Sequence, residues 1–208
     1  MFASDRIFLE ACVELAAKGQ MTCAPNPPVG CIIWRDGKVL GRGFHQRAGA
    51  GHAEVNALRS VEGGARNATV FVSLEPCSFV GRTPACARTL IDAGVARVVV
   101  AAVDPNPKVA GSGIRLLREA GIAVDVLELD SAKEQIQGFT QRITRQRPWV
   151  RIKTATSLDG SVALANGKSQ WVTGSAARAD VQYWRARSDA IVTGVGSVIA
   201  DDPLLTVR

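Results

Sequence analysis

The chain holds only two histidines, His45 and His52, and no apolar stretch approaching the ~20 residues needed to cross a membrane as a helix. Its five cysteines form no even, regular framework, which removes the case for a disulfide-stapled secreted scaffold. Met1 to Asp5 lacks the charged segment and apolar core of a signal peptide, so a cytoplasmic location is expected. Also missing is a basic run with interleaved aromatics. The net charge of +6 is spread over residues 1–147 and 148–208 alike, without the stripe typical of a nucleic-acid binder, and a small phosphorylated substrate explains the bias equally well. What remains is a globular chain of 208 residues, 47% hydrophobic and 21% charged, long enough for one full core and part of another.

Against this background one constellation stands out. His52-Ala53-Glu54 is followed by Pro76-Cys77 and, after an insert of eight residues, by Cys86. A histidine and two cysteines leave a tetrahedral zinc with its fourth position open, and an acid two residues beyond the histidine is placed to handle protons there. Zinc lowers the pKa of bound water to roughly 7, and Glu54 would act first as general base and then as general acid. This is hydrolytic equipment of the kind that removes an amino group from a base. Residues two apart do not share a face of an ideal helix. His52 and Glu54 are therefore expected in the first turn of a helix through Val55, Ala57, Leu58 and Val61, where side chains converge beyond the helix end. Cys86, after Thr83-Pro84, opens a second helix, Ala87 to Ala93, whose N-terminus favours a thiolate. Cys12, Cys23 and Cys31, in apolar or turn contexts, read as small buried hydrophobes.

Helical and extended patterns alternate along the chain. Ser4 caps a helix with Ile7, Phe8, Ala11, Cys12 and Leu15 on one face, running to Gly19. Val29 to Trp34 and Val39 to Phe44 are strands joined at Arg35-Asp36-Gly37-Lys38, an Asp-Gly hairpin signal. Further strands are expected at Thr69–Leu74, Arg97–Val103 and Ile122–Leu127, and helices at Gly113–Ala120 and from Ser131 to about Arg142. The predicted fold class is α/β: a three-layer domain around about five strands, residues 1–146, followed after Thr144 to Pro148 by residues 147–208, the opening portion of a second α/β unit. In that portion Trp149–Thr156 and Ala190–Thr193 read as strands and Ala176–Arg187 as a helix, while Gly194-Val195-Gly196 reads as an ordinary turn.

Asn26-Pro27-x-Val29-Gly30, His45-x-x-x-Gly49-x-x-His52-Ala53-Glu54, Glu75-Pro76-Cys77-Ser78, Gly81-Arg82-Thr83-Pro84-x-Cys86 and Asp104-Pro105-Asn106-Pro107 together resemble the RibD family of riboflavin biosynthesis. Ser157-Leu158-Asp159-Gly160, Ser169-Gln170-Trp171 and Ala200-Asp201-Asp202-Pro203-x-Leu205-Thr206-x-Arg208 extend the resemblance over the full chain. It implies a cytidine-deaminase-like first domain that deaminates a diaminopyrimidinone bearing a ribosylamino 5-phosphate. It also implies a second domain, like dihydrofolate reductase in fold, that reduces the ribose with NADPH. By the same resemblance His52, Cys77 and Cys86 hold zinc, Glu54 shuttles the proton, Asn26 addresses the base, and His45, Arg82 and Thr83 lie near the ribose phosphate. Ser169, Arg185, Leu205 and Arg208 match substrate positions of the second domain, and Ala155, Trp171, Ser197 and Asp201 match positions lining NADPH.

Two departures qualify what is implied. Phe79 stands where the family usually has histidine, and the sequence ends at Arg208, before the glycine-rich loop of the reductase. Deamination without reduction is therefore the expectation. A nucleoside or tRNA deaminase would use the same zinc logic, although the long insert between Cys77 and Cys86 argues against it. A noncatalytic zinc-stabilised module is the alternative of a different class, and it needs a fourth protein ligand such as Cys23 or Cys31. A scaffold that has lost activity is the third. Association between copies stays open, because a reductase fragment exposes apolar surface.

Overall fold

A computed structural model describes residues 3–79 and 85–208. They divide into two compact units at Trp149/Val150.

The first unit is organised by a five-stranded sheet of order β2-β1-β3-β4-β5. Strands β1 (Gly30–Arg35) and β2 (Lys38–Phe44) form an antiparallel hairpin. Its turn uses Asp36 and Gly37 at φ 50° and 80°, the left-handed pair that an Asp-Gly turn supplies most cheaply. Strand β3 (Thr69–Val72) pairs antiparallel with β1, and β4 (Arg97–Val100) and β5 (Ala123–Val126) then add in parallel.

Alternation along the central strands feeds two cores. Cys31, Ile33, Val70, Val72, Val98 and Val100 point to one face, covered by α2 (Ala53–Arg59), α3 (Cys86–Asp92) and α4 (Ser112–Glu119). Ile32, Phe71 and Val99 point to the other, against Leu9 and Cys12 of α1 (Ala3–Ala17) and Ala132 of α5 (Asp130–Gln135). The result is a three-layer α/β sandwich. Helix α2 lies directly on the hairpin because Gly43 has no side chain. A Cβ there would sit 2.8 Å from the Asn56 carbonyl carbon and closer still to the Ala57 nitrogen and Ala53 oxygen.

One helix expected from Ser131 is two. Ile136, at φ −104° and ψ 14°, ends α5, and α6 (Gln137–Arg145) follows. Ile136 is buried in the α1-side core, so the chain is anchored inward at the break, and Gly138 two residues later gives the new helix little propensity of its own.

The second unit contains α7 (Ser175–Ala186) and α8 (Val195–Asp201). The strands expected at Trp149–Thr156 and Ala190–Thr193 do not form, since neither segment has a ladder neighbour within its unit, and a strand's backbone groups need one. The turn expected at Gly194-Val195-Gly196 is instead the start of α8, with Gly194 as the residue preceding its first turn. None of residues 150–208 is fully buried. Aromatic and guanidinium contacts hold the pieces: Arg151 and Arg187 lie 3.4 and 4.9 Å from the Trp184 ring centroid, and Arg178 lies 4.6 Å from that of Trp171.

Candidate metal centre and adjoining cavity

The candidate site assembles at the carboxyl ends of β3 and β4, where parallel strands hand over to their connections. His52 is the residue capping α2, with extended backbone at φ −70° and ψ 167°, and Glu54 lies in the first turn. That geometry resolves the spacing problem, because His52 is not yet helical. Cys77 follows β3 by five residues, and Cys86 is the first residue of α3.

The His52 Nδ1 lies 3.2 Å from Cys86 Sγ and 3.6 Å from Cys77 Sγ, and the three ligand atoms fall within 4.8 Å of one another. The Cys86 backbone N–H donates to Cys77 Sγ at 3.3 Å. Hydrogen bonding from Cys86 and then from His52 brings the Cys77 thiol down to about 4, against the opposing effect of burial. Its partner is pushed the other way: the bond to Cys77, burial and Glu54 raise the Cys86 thiol far above the ordinary range. The bond to Cys77 raises the His52 pKa, with burial opposing. One sulfur therefore carries the charge while neighbouring protons crowd toward it. A single divalent cation replacing those protons satisfies all three donors, and two thiolates with an imidazole are a donor set that suits zinc. Cys12, Cys23 and Cys31 are buried, and none joins the ligand cluster found among the described residues.

Glu54 is 3% exposed. Burial is the main cause that pushes its carboxyl up from 4.5 to about 7, the Cys77 charge adds to it, and His52 and a hydrogen bond to Cys86 act in the opposite direction. A carboxyl poised near neutrality is suited to both taking up and giving back a proton.

Beside these groups opens a cavity of about 370 Å³ reached by Asn26, His45, His52, Glu54, Cys77 and Phe79. His45 is 2% exposed and both its ring nitrogens are engaged. Nδ1 faces the Gly51 carbonyl at 3.2 Å and so donates, leaving Nε2 to accept from the Asn26 Nδ2 at 3.1 Å. Burial lowers the His45 pKa, with the Gly51 carbonyl opposing, so the ring is neutral in this tautomer. Phe79 is 48% exposed and contributes an apolar edge where the resemblance predicts histidine. Arg82 and Thr83 lie outside the described residues.

Sequence reasoning assigned no role to Glu75, Asp104, Asn106 or Phe139, which also line this cavity. The first three stand at the carboxyl ends of β3 and β4, a position that in open α/β sheets points to a binding crevice. Phe139 gave no local signal; it reaches the cavity from α6. Burial is the main cause that raises the Asp104 carboxyl from 3.8 to about 6; the Asn106 N–H opposes, and the Glu75 and Cys77 charges add to the rise.

In the second unit, Ser169 and Trp171 line a shallow hollow of about 640 Å³ with Ser157, Asp159 and Lys168. Arg185 Nη1 donates to the Thr206 carbonyl at 3.1 Å, and the Arg208 N–H donates to Gln182 at 3.0 Å, which brings Arg185 beside the segment containing Leu205 and Arg208. Ser197 and Asp201 share one face of α8, four residues apart, and both are exposed, while Ala155 lies in an irregular segment. Of these four, Trp171 lines the hollow described above.

Residues 3–102 match the cytidine and deoxycytidylate deaminase zinc-binding region, and residues 148–208 match the RibD C-terminal domain. The chain is 50% identical over 205 residues to the riboflavin biosynthesis protein RibD of Escherichia coli, covering 98% of this chain and 56% of that protein. The solved structure of Acinetobacter baumannii RibD superposes with a TM-score of 0.91 at 50% identity, over 98% of this chain and 58% of the other. The Thermotoga maritima structure, described as a diaminohydroxyphosphoribosylaminopyrimidine deaminase and 5-amino-6-(5-phosphoribosylamino)uracil reductase, gives a TM-score of 0.93 at 37% identity, over 98% and 59%. The chain spans little more than half the length of these relatives, and it belongs to the RibD family of riboflavin biosynthesis proteins.

Proposed function

We propose that this chain catalyses the hydrolytic deamination of a diaminopyrimidinone carrying a ribosylamino 5-phosphate. The observation that carries this reading is the convergence of His52, Cys77 and Cys86 on one point, with the buried Glu54 carboxyl beside them at the wall of a cavity large enough for a pyrimidine. Zinc held by His52, Cys77 and Cys86 would supply the Lewis acid that activates water for attack near neutral pH. Glu54, with its pKa raised to about 7, would take one proton from the attacking water and give it to the ring nitrogen, and would then move the water's second proton to the departing amine, which leaves as ammonia. Asn26 addresses the base, and His45 positions Asn26 by accepting from its amide. Arg82 and Thr83 hold the phosphate, a role that rests on the resemblance alone.

The overall reaction adds water across the C–N bond and releases ammonia, so ammonia is the readout. Zinc-loaded protein should release it from the diaminopyrimidinone ribosyl phosphate, and Glu54→Gln, which keeps shape and loses the proton carrier, should abolish release while retaining zinc. General acid–base catalysis contributes about 10²–10⁴-fold, so a loss under about tenfold would remove Glu54 from the role. No release from folded, zinc-replete wild type would reject the substrate. The match of residues 148–208 to the RibD C-terminal domain supports the second unit as part of a reductase using NADPH; the assignment of Ser169, Arg185, Leu205 and Arg208 to its substrate side rests on the resemblance alone.

A further inference from the structure

Glu75 is 3% exposed, and its carboxylate is occupied entirely by main chain. Oε1 accepts from the N–H of Gly113 at 2.9 Å and of Ile114 at 3.2 Å, and Oε2 accepts from Gly111 at 2.9 Å and Asp104 at 3.2 Å. Four donors use up the roughly four acceptor sites of a carboxylate. The group has nothing left with which to bind a substrate or carry its proton.

What those four bonds join is specific. On one side is the segment Glu75-Pro76-Cys77, which delivers a metal ligand; on the other is the connection from β4 to α4, which delivers Asp104, Asn106 and Val109 to the cavity. Two more ties lie alongside. The Ser78 and Ser112 hydroxyls meet at 2.6 Å, and Gly113 lies flush on the metal-ligand segment, where a Cβ would overlap the Pro76 carbonyl oxygen. The Glu75 N–H itself donates to the Ala102 carbonyl at 2.9 Å, continuing the β3–β4 ladder beyond the strands. The Glu75 backbone is thereby fixed to one strand while its side chain grips the loop that follows the next.

We propose that Glu75 is a positioning residue that bolts the β4–α4 loop to the metal-ligand segment, setting the distance between Cys77 and the cavity wall made by Asp104 and Asn106. This extends the deaminase reading and rests on it for its kinetic part. Glutamine is the informative replacement: one acceptor oxygen survives, and the other is exchanged for an NH₂ that confronts two N–H donors. The loop loosens on one side while Cys77, held independently by its bonds to Cys86, keeps its place.

The test is Glu75→Gln, assayed for zinc content, residue-resolved amide hydrogen exchange, and the kinetics of ammonia release. Faster exchange at Asp104, Gly111, Gly113 and Ile114 is expected, with exchange at Val98 to Val100 unchanged. Zinc stays at wild-type stoichiometry, KM rises about tenfold or more as hydrogen bonds to a charged group are lost, and kcat stays within about threefold. A purely structural residue would lower the folded, zinc-loaded fraction and leave KM alone. Unchanged exchange at the four amides, or a fall in kcat at constant KM, overturns the proposal. Should Glu75→Gln fail to fold, Ser112→Ala takes its place: a raised KM supports the proposal and an unchanged KM overturns it. If wild type released no ammonia, the deaminase reading would fall, and the exchange measurement, made without substrate, would decide the bolt by itself.

Discussion

Adding a single methyl group to Gly43 should damage activity out of proportion to stability. Gly43 lies on β2 beneath α2, and a Cβ there would sit 2.8 Å from the Asn56 carbonyl carbon and nearer still to two other backbone atoms of α2. Ordinary contact begins at 3.4 Å, and backbone cannot rotate aside as a side-chain tip does. Helix α2 must therefore retreat by roughly 1 Å, a displacement that can cost about 10²-fold when it moves catalytic groups. The helix carries His52 at its cap and Glu54 in its first turn, so both groups move with respect to Cys77 and Cys86. Overpacking of this kind costs about 1–3 kcal/mol of stability. Leu9→Ala is the control: it empties a fully buried site on the α1 face, with an expected loss of about 2–5 kcal/mol, yet touches nothing near the metal ligands. The assay is kcat/KM for ammonia release per folded, zinc-loaded molecule, beside a urea denaturation curve. Gly43→Ala within about twofold of wild type, or Leu9→Ala impaired as severely, would refute the claim that the seating of α2 on the hairpin sets the site geometry.

Cys86→Ser should lower bound zinc, measured by mass spectrometry of the metal, whereas Cys12→Ser, whose thiol donates to the Phe71 carbonyl, should leave zinc stoichiometry unchanged. A chelator should lower Tm, and zinc at about 1,000 times its Kd should restore about 4 kcal/mol. Asp104 gives a pH signature of defined sign. Its folded carboxyl binds a proton more tightly than the unfolded one, so the contribution is present below pH 3.8 and is lost as pH rises through about 6. Between those limits wild type should lose up to about 3 kcal/mol relative to Asp104→Asn in denaturation experiments, and parallel curves would rule the shift out. Arg97 grips Asp5 with two hydrogen bonds of 2.8 and 3.1 Å and also holds Asp125, at the end of the sheet away from the metal ligands. Arg97→Met leaves the buried Asp5 unpaired and should cost about 3 kcal/mol with kcat/KM unaffected, the loss being partly recovered in the double variant with Asp5→Asn.

Most of the first unit was legible because its signals are local. Short apolar, extended runs placed β1 to β5, an Asp-Gly pair placed the hairpin, and His-Ala-Glu with two spaced cysteines placed the metal cluster. What stayed hidden depends on contacts distant in sequence. The division of the last helix of this unit follows from Ile136 being pinned in a core built by α1 and β4, and no window around residue 136 contains that information. Glu75 reads as one more acid in a loop until the fold brings Gly111, Gly113 and Ile114 to it. In residues 150–208 the apolar runs were real, but a strand is a relation between two segments, and neither run has its neighbour within the unit.

The pairing of Asn26 with His45 shows how such distant contacts fix chemistry that residue types alone leave open. An asparagine amide can present either its oxygen or its nitrogen to a ligand, and a histidine can carry its proton on either ring nitrogen. Here the choice propagates from a carbonyl. Gly51 accepts from Nδ1 of His45, which leaves Nε2 as an acceptor, which in turn requires the Asn26 NH₂ to face the ring. Burial keeps the imidazole neutral, so the arrangement is not undone by protonation near neutral pH. Asn26 is then left with its oxygen as the free acceptor, the polarity needed to receive an N–H or an amino group of a pyrimidine. Gly51 immediately precedes His52, so the carbonyl that orients this acceptor and the ligand that orients the metal are set by the same turn of chain. If Asn26 meets the base as proposed, that one peptide unit couples substrate recognition to the placement of His52.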